Sequence, residues 1–244
     1  MEINYVKHYS NCLNRDMEFK VYGHSGKPVL FIPCQAGRFF DFENFHMIDH
    51  WNQWIEEGRC TVISCDTIDN EAWAASGSDC RWRSENVERW HHYIVDELVP
   101  IIHHITGRHD ILPFGCSMGA MHAANLFFRR PDLFDGVFAI SGVYDSLDFF
   151  GDYMDELLYH NCPVNYLADL PQDHFYLDMY KHRKILIVVG QGAWEEPLVA
   201  STRRLEEVMR RKGIPGRVEY WGHDVDHDWP WWYRMCQVYV PDFL

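Results

Sequence analysis

Ile111-Leu112-Pro113-Phe114-Gly115-Cys116-Ser117-Met118-Gly119 is an apolar run that closes on a G-x-S-x-G pattern, and an alanine-rich stretch of helical composition, residues 120–130, follows it. A strand, a sharp turn and a helix in that order are what a nucleophile elbow requires. Such an elbow brings strand and helix so close that a Cβ two residues before or after the serine would collide. It also holds the serine in a strained backbone conformation that pushes its hydroxyl above the sheet edge. A G-x-S-x-G in an ordinary surface loop would lack the buried strand before it and the helix after it. Ser117 is therefore the candidate nucleophile. Cys116 beside it is the other nucleophilic side chain, but the neighbouring position in an elbow points away from substrate.

Apolar runs recur at residues 29–33, 61–65, 136–141 and 185–190, and runs this short and continuous suit parallel strands covered on both faces. Helical patterns lie between them. The clearest spans residues 84–106, with Val87, Trp90, Ile94, Leu98, Ile101 and Ile105 on one face. Another starts at Pro197 and ends near Lys212-Gly213, with proline at the start and glycine past the end. Alternating strands and helices predict an α/β chain with a doubly wound, mostly parallel sheet. Residues 3–23 alternate polar and apolar side chains around a turn at 11–16, the pattern of an N-terminal antiparallel hairpin.

At 244 residues, with no linker, repeat or low-complexity tract, the chain is expected to form a single domain, 1–244. The stretch 144–183 lacks clear periodicity and is rich in aromatics and acids, which suits an excursion that shapes a pocket above the sheet or one that merely packs.

The net charge of −14 argues against nucleic acid or an anionic membrane surface as partner. No stretch approaches a membrane span and no leader pattern opens the chain, so a cytoplasmic location is expected. Eight scattered cysteines without C-x-x-C spacing read as reduced thiols.

A serine hydroxyl needs a base within hydrogen-bond reach. Residues 223–228 read His-Asp-Val-Asp-His-Asp, after a plausible last strand at 217–221 and before the C-terminal helical stretch. In chain order serine, acid, histidine, the base falls in this loop. His227 and His223 both fit by spacing. The same cluster could in principle bind a metal, but ligands would have to converge from one short loop, so no metal and no cofactor is expected. Other histidines, including His91, His92, His103 and His104, fall on the long helix and are expected to be solvated.

The elbow and the His227-Asp228-Trp229 segment together resemble the putative esterase family of α/β-hydrolases, the group related to esterase D and the mycolyltransferases. The resemblance runs from about residue 28 to the C-terminus. It implies the α/β-hydrolase fold, a small-molecule ester as substrate and hydrolysis through an acyl-enzyme; acyl transfer with the same residues, or a noncatalytic binding protein, are the alternatives. It favours His227 over His223 as the base. Family members often carry an aspartate shortly after the seventh strand, where this chain has Ala193. Glu195 is then the expected acid, with Glu196 and Asp145 as alternatives. Glutamates at the start of a helix also have a plain explanation in the helix dipole. The oxyanion donors are expected at the backbone N–H groups of Met118 and Gln35, with Cys34 the neighbouring possibility. Homo-oligomerisation is left open.

Overall fold

A computed structural model describes residues 1–244, and its eight strands form one sheet in the order β1-β2-β4-β3-β5-β6-β7-β8. These are β1 (Ile3–Ser10), β2 (Arg15–Tyr22), β3 (Lys27–Ile32), β4 (Cys60–Cys65), β5 (Leu112–Cys116), β6 (Gly136–Ile140), β7 (Lys184–Val189) and β8 (Arg217–Tyr220). The expected hairpin is present: β1 pairs antiparallel with β2, and β2 pairs antiparallel with β4. All the remaining pairings are parallel.

Alternation along the parallel strands divides the core between two faces. Leu30, Ile32, Ile63, Val137, Ala139, Ile185 and Ile187 enter one apolar layer, and Val29, Phe31, Val62, Phe114, Phe138, Leu186 and Val188 the other. The first layer is covered by the helices over 80–106, by Met118–Arg129 and by Glu196–Lys212. Met47–Glu56 and Trp229–Tyr239 cover the second. A sheet sheathed on both faces explains why these strands read as near-continuous apolar runs. Only β1, at the edge, is mostly exposed: Ile3, Tyr5, Lys7 and Tyr9 face outward, while Val6 and His8 are half-buried and Ser10 is buried.

The long helix departs from its expected pattern. It begins earlier, at Cys80, behind the N-cap Asp79, whose side chain accepts from the Trp82 N–H at 2.8 Å. A π-helical segment, Tyr93–Leu98, separates Cys80–His92 from Val99–Thr106. Its wider turn rotates the last two turns of the helix, so Val99 and Ile102 are buried while Ile105, expected on the apolar face, is 44% exposed. His91, expected in solvent, is buried and His103 is half-buried, whereas His92 and His104 are exposed as expected. Burial lowers the His91 pKa well below its ordinary value, which keeps the ring neutral.

Residues 144–183 fold as four short helices, and Tyr144, Phe150, Leu158, Leu167 and Tyr180 from this excursion join the first apolar layer. The parallel strands all run the same way. Their C-terminal ends therefore deliver the loops after β3 to β8 to a single edge of the sheet, where sites in such sheets are built.

Candidate functional site

Ser117 follows the last residue of β5 and precedes the helix Met118–Arg129, with φ 57° and ψ −127°. That backbone region is strained for a side chain with a Cβ. The flanking glycines are sterically required. A Cβ on Gly115 would lie 2.3 Å from the Gly119 carbonyl carbon, and one on Gly119 would lie 2.1 Å from the Ile32 carbonyl oxygen. The Ser117 N–H donates to the Ile140 carbonyl at 2.9 Å, which ties the turn to β6.

His227 Nε2 lies 2.9 Å from Ser117 Oγ. The ring is packed edge-on against Trp232, with centroids 4.9 Å apart, and Trp232 in turn meets Trp229, which stacks on Phe45 at 4.6 Å. The loop bearing His227 is locked to the loop after β7: the His227 N–H donates to the Ala193 carbonyl at 3.0 Å, and Asp226 Oδ1 accepts from the Ala193 N–H at 2.7 Å. Ala193 thus holds the two loops together through its backbone.

Glu195 is fully buried, and its Oε2 lies 3.5 Å from His227 Nδ1. Neither of those two atoms has another partner. The other oxygen, Oε1, accepts from Ser141 Oγ at 2.5 Å. Ser141 comes directly after β6 and has φ 54°, a left-handed conformation that turns its hydroxyl toward Glu195. Nothing in the sequence singled it out. The alternatives to Glu195 lie elsewhere. Glu196 is exposed, and Asp145 is held by Ser201 Oγ at 2.6 Å and Arg204 Nη2 at 2.7 Å, both on the helix Glu196–Lys212. His223 is exposed, four residues before the ring that reaches the serine.

The loop after β3 passes beside the elbow, since Gly119 abuts the Ile32 and Pro33 carbonyls. In it the Ala36 N–H donates to Asp69 Oδ2 at 3.1 Å, whereas the Gln35 and Met118 N–H groups donate to no group of the protein. Cys116 is fully buried and burial raises its pKa well above the ordinary thiol range, so its sulfur stays protonated and shielded. All eight cysteines are free thiols. The His-Asp cluster at 223–228 does not converge, because its side chains face Ser117, the Ala193 N–H, the Trp229 N–H and solvent.

A doubly wound sheet with a serine elbow at its C-terminal edge defines an α/β-hydrolase. A match to the putative esterase family spans residues 10–237, and the chain belongs to that family of esterases. Among solved structures it is similar to a ferulic acid esterase, with 16% identity, a TM-score of 0.75 and coverage of 99% of this chain and 97% of that one. An S-formylglutathione hydrolase from Agrobacterium tumefaciens shares 16% identity at a TM-score of 0.72, covering 99% of this chain and 92% of its own. The fluorophosphonate-binding serine hydrolase F of Staphylococcus aureus shares 14% identity at a TM-score of 0.72, covering 98% and 97% respectively. At these identities the likeness is one of fold. No curated protein matches the chain. No helix is long and apolar enough to cross a membrane.

Proposed function

We propose that the chain hydrolyses carboxylic esters through an acyl-enzyme on Ser117, with His227 as base and Glu195 as acid. The observation that carries this reading is the 2.9 Å approach of His227 Nε2 to a strained, glycine-flanked serine hydroxyl. His227 takes the Ser117 proton as Oγ attacks the ester carbonyl, then gives it to the leaving alcohol; water resolves the acyl-enzyme by the same relay in reverse. Glu195 holds the ring tautomer with the proton on Nδ1 and stabilises the imidazolium. The N–H groups of Met118 and Gln35 receive the negative charge that develops on the carbonyl oxygen. The substrate is a small-molecule ester, and no cofactor takes part.

Kinetics on p-nitrophenyl acetate test the assignment. Ser117→Ala and His227→Ala should each lower kcat by roughly three orders of magnitude or more, because triad members act as a unit. His223→Ala should stay near wild type. A Ser117→Ala enzyme within about tenfold of wild type, a loss of only ~1.4 kcal/mol in the barrier, would remove Ser117 from the mechanism.

A further inference from the structure

One buried pair of polar side chains has no part in the proton relay. Asp69, in the short turn Asp69–Glu71 after β4, is 2% exposed, and His122, five residues after Ser117 on the elbow helix, is 6% exposed. Asp69 Oδ1 lies 2.9 Å from His122 Nε2, while its Oδ2 accepts from the Ala36 N–H at 3.1 Å. His122 is itself held by the Trp90 ring at 4.5 Å, and Trp90 Nε1 donates to the Asp66 carbonyl at 3.1 Å. A single carboxylate therefore ties together the loop after β3, the loop after β4 and the elbow helix.

The tie matters because Ala36 has φ 57°. An alanine adopts this left-handed conformation only when its surroundings impose it. The hydrogen bond to Asp69 fixes the Gln35–Ala36 peptide, and with it the orientation of the adjoining Gln35 N–H. His122 occupies the second carboxylate oxygen, which prevents the group from turning away from Ala36. Because Ser117 directly precedes the helix that carries His122, the anchor is referenced to the nucleophile itself.

We infer that Asp69, steadied by His122, is a positioning residue that sets the Gln35 N–H at the oxyanion site. The inference rests on the proposed role of Ser117. Removal of Asp69 lets Ala36 relax and the Gln35 donor move, so charge stabilisation in the transition state weakens while binding of the uncharged ester does not.

The test combines kinetics on p-nitrophenyl acetate with inhibition by an aryl trifluoromethyl ketone, which adds a serine oxygen reversibly and places an oxyanion at the same site. Loss of one oxyanion donor costs about 10²–10³ in kcat, and a displaced one should cost less. Asp69→Ala should lower kcat roughly 10- to 100-fold, leave KM within about twofold, and weaken ketone binding by the same factor as kcat. Asp69→Asn keeps one acceptor for the Ala36 N–H and should recover most of the loss. His122→Ala should show the same pattern more weakly, about 3- to 10-fold, and it provides the reading should Asp69→Ala not fold. A pair that serves only stability would lower the melting temperature yet leave kcat and ketone affinity at wild-type values in every folded variant, and that result overturns the inference. Phosphonylation of the wild-type enzyme at Ser117 by a fluorophosphonate is scored alongside. Its absence overturns the role of Ser117, whereas labelling with unchanged kinetics in the Asp69 and His122 variants overturns only the positioning role.

Discussion

Glu195 and Ser141 meet beside His227 although neither belongs to a motif of its own. Glu195 precedes Pro197 at the start of a helix, where a carboxylate is favoured by the dipole for structural reasons alone, so its sequence context could not separate it from Glu196. Burial separates them: Glu195 is wholly enclosed and facing His227, and Glu196 is in solvent. If Glu195 orients the base, Glu195→Gln should cut kcat on p-nitrophenyl acetate by at least ~10²-fold, since the amide cannot stabilise an imidazolium. Glu196→Gln should lie within about twofold of wild type, and Asp145→Asn should act on stability through its contacts with Ser201 and Arg204. Equal, small effects from Glu195→Gln and Glu196→Gln would place the acid elsewhere. Ser141 was invisible in the sequence because the left-handed turn that aims its hydroxyl carries no residue signature.

Among the elements, the elbow was legible because its steric demand falls on residue types: only glycine fits at 115 and 119, where backbone approaches within 2.3 Å of an added Cβ. The strands were legible from their apolar runs, with ends misplaced by a residue or two. The π-helical segment was not, because an inserted residue in a helix leaves the composition unchanged and only rotates the apolar stripe. The elements are also joined by charge. Glu88 on the long helix receives Arg129, from the end of the elbow helix, through two hydrogen bonds of 2.8 Å, and Asn161 of the excursion at 2.7 Å. Burial raises the Glu88 carboxyl, but Arg129 and Asn161 outweigh it and hold the pKa down at about 2 from 4.5. A carboxyl depressed in the folded state adds stability above its unfolded pKa and loses it as pH falls through the folded value. Glu88→Gln should thus lower unfolding free energy at pH 7 by about 1–3 kcal/mol, with the gap to wild type closing as pH drops from about 4.5 toward 2. Urea titrations at pH 7 and pH 3 measure this; an equal gap at both would show that the contact acts without its charge.

At the scale of the whole molecule, the sheet order explains why residues as distant in sequence as Ser117, Ser141, Glu195 and His227 meet. Each follows the C-terminal end of a parallel strand, β5 to β8 in turn, and those strands are neighbours in the sheet. Chain order alone located the histidine loop for the same reason. The Asp69–His122 tie leaves no mark in the sequence because it joins residues 53 positions apart through single side chains. Treatment of the protein with a fluorophosphonate, with the adduct mapped by peptide mass spectrometry, tests whether Ser117 is the nucleophile. One phosphonyl group per chain is expected, on Ser117, with none taken up by Ser117→Ala. An unlabelled wild-type protein, or an adduct on any other residue that persists in Ser117→Ala, would contradict that assignment.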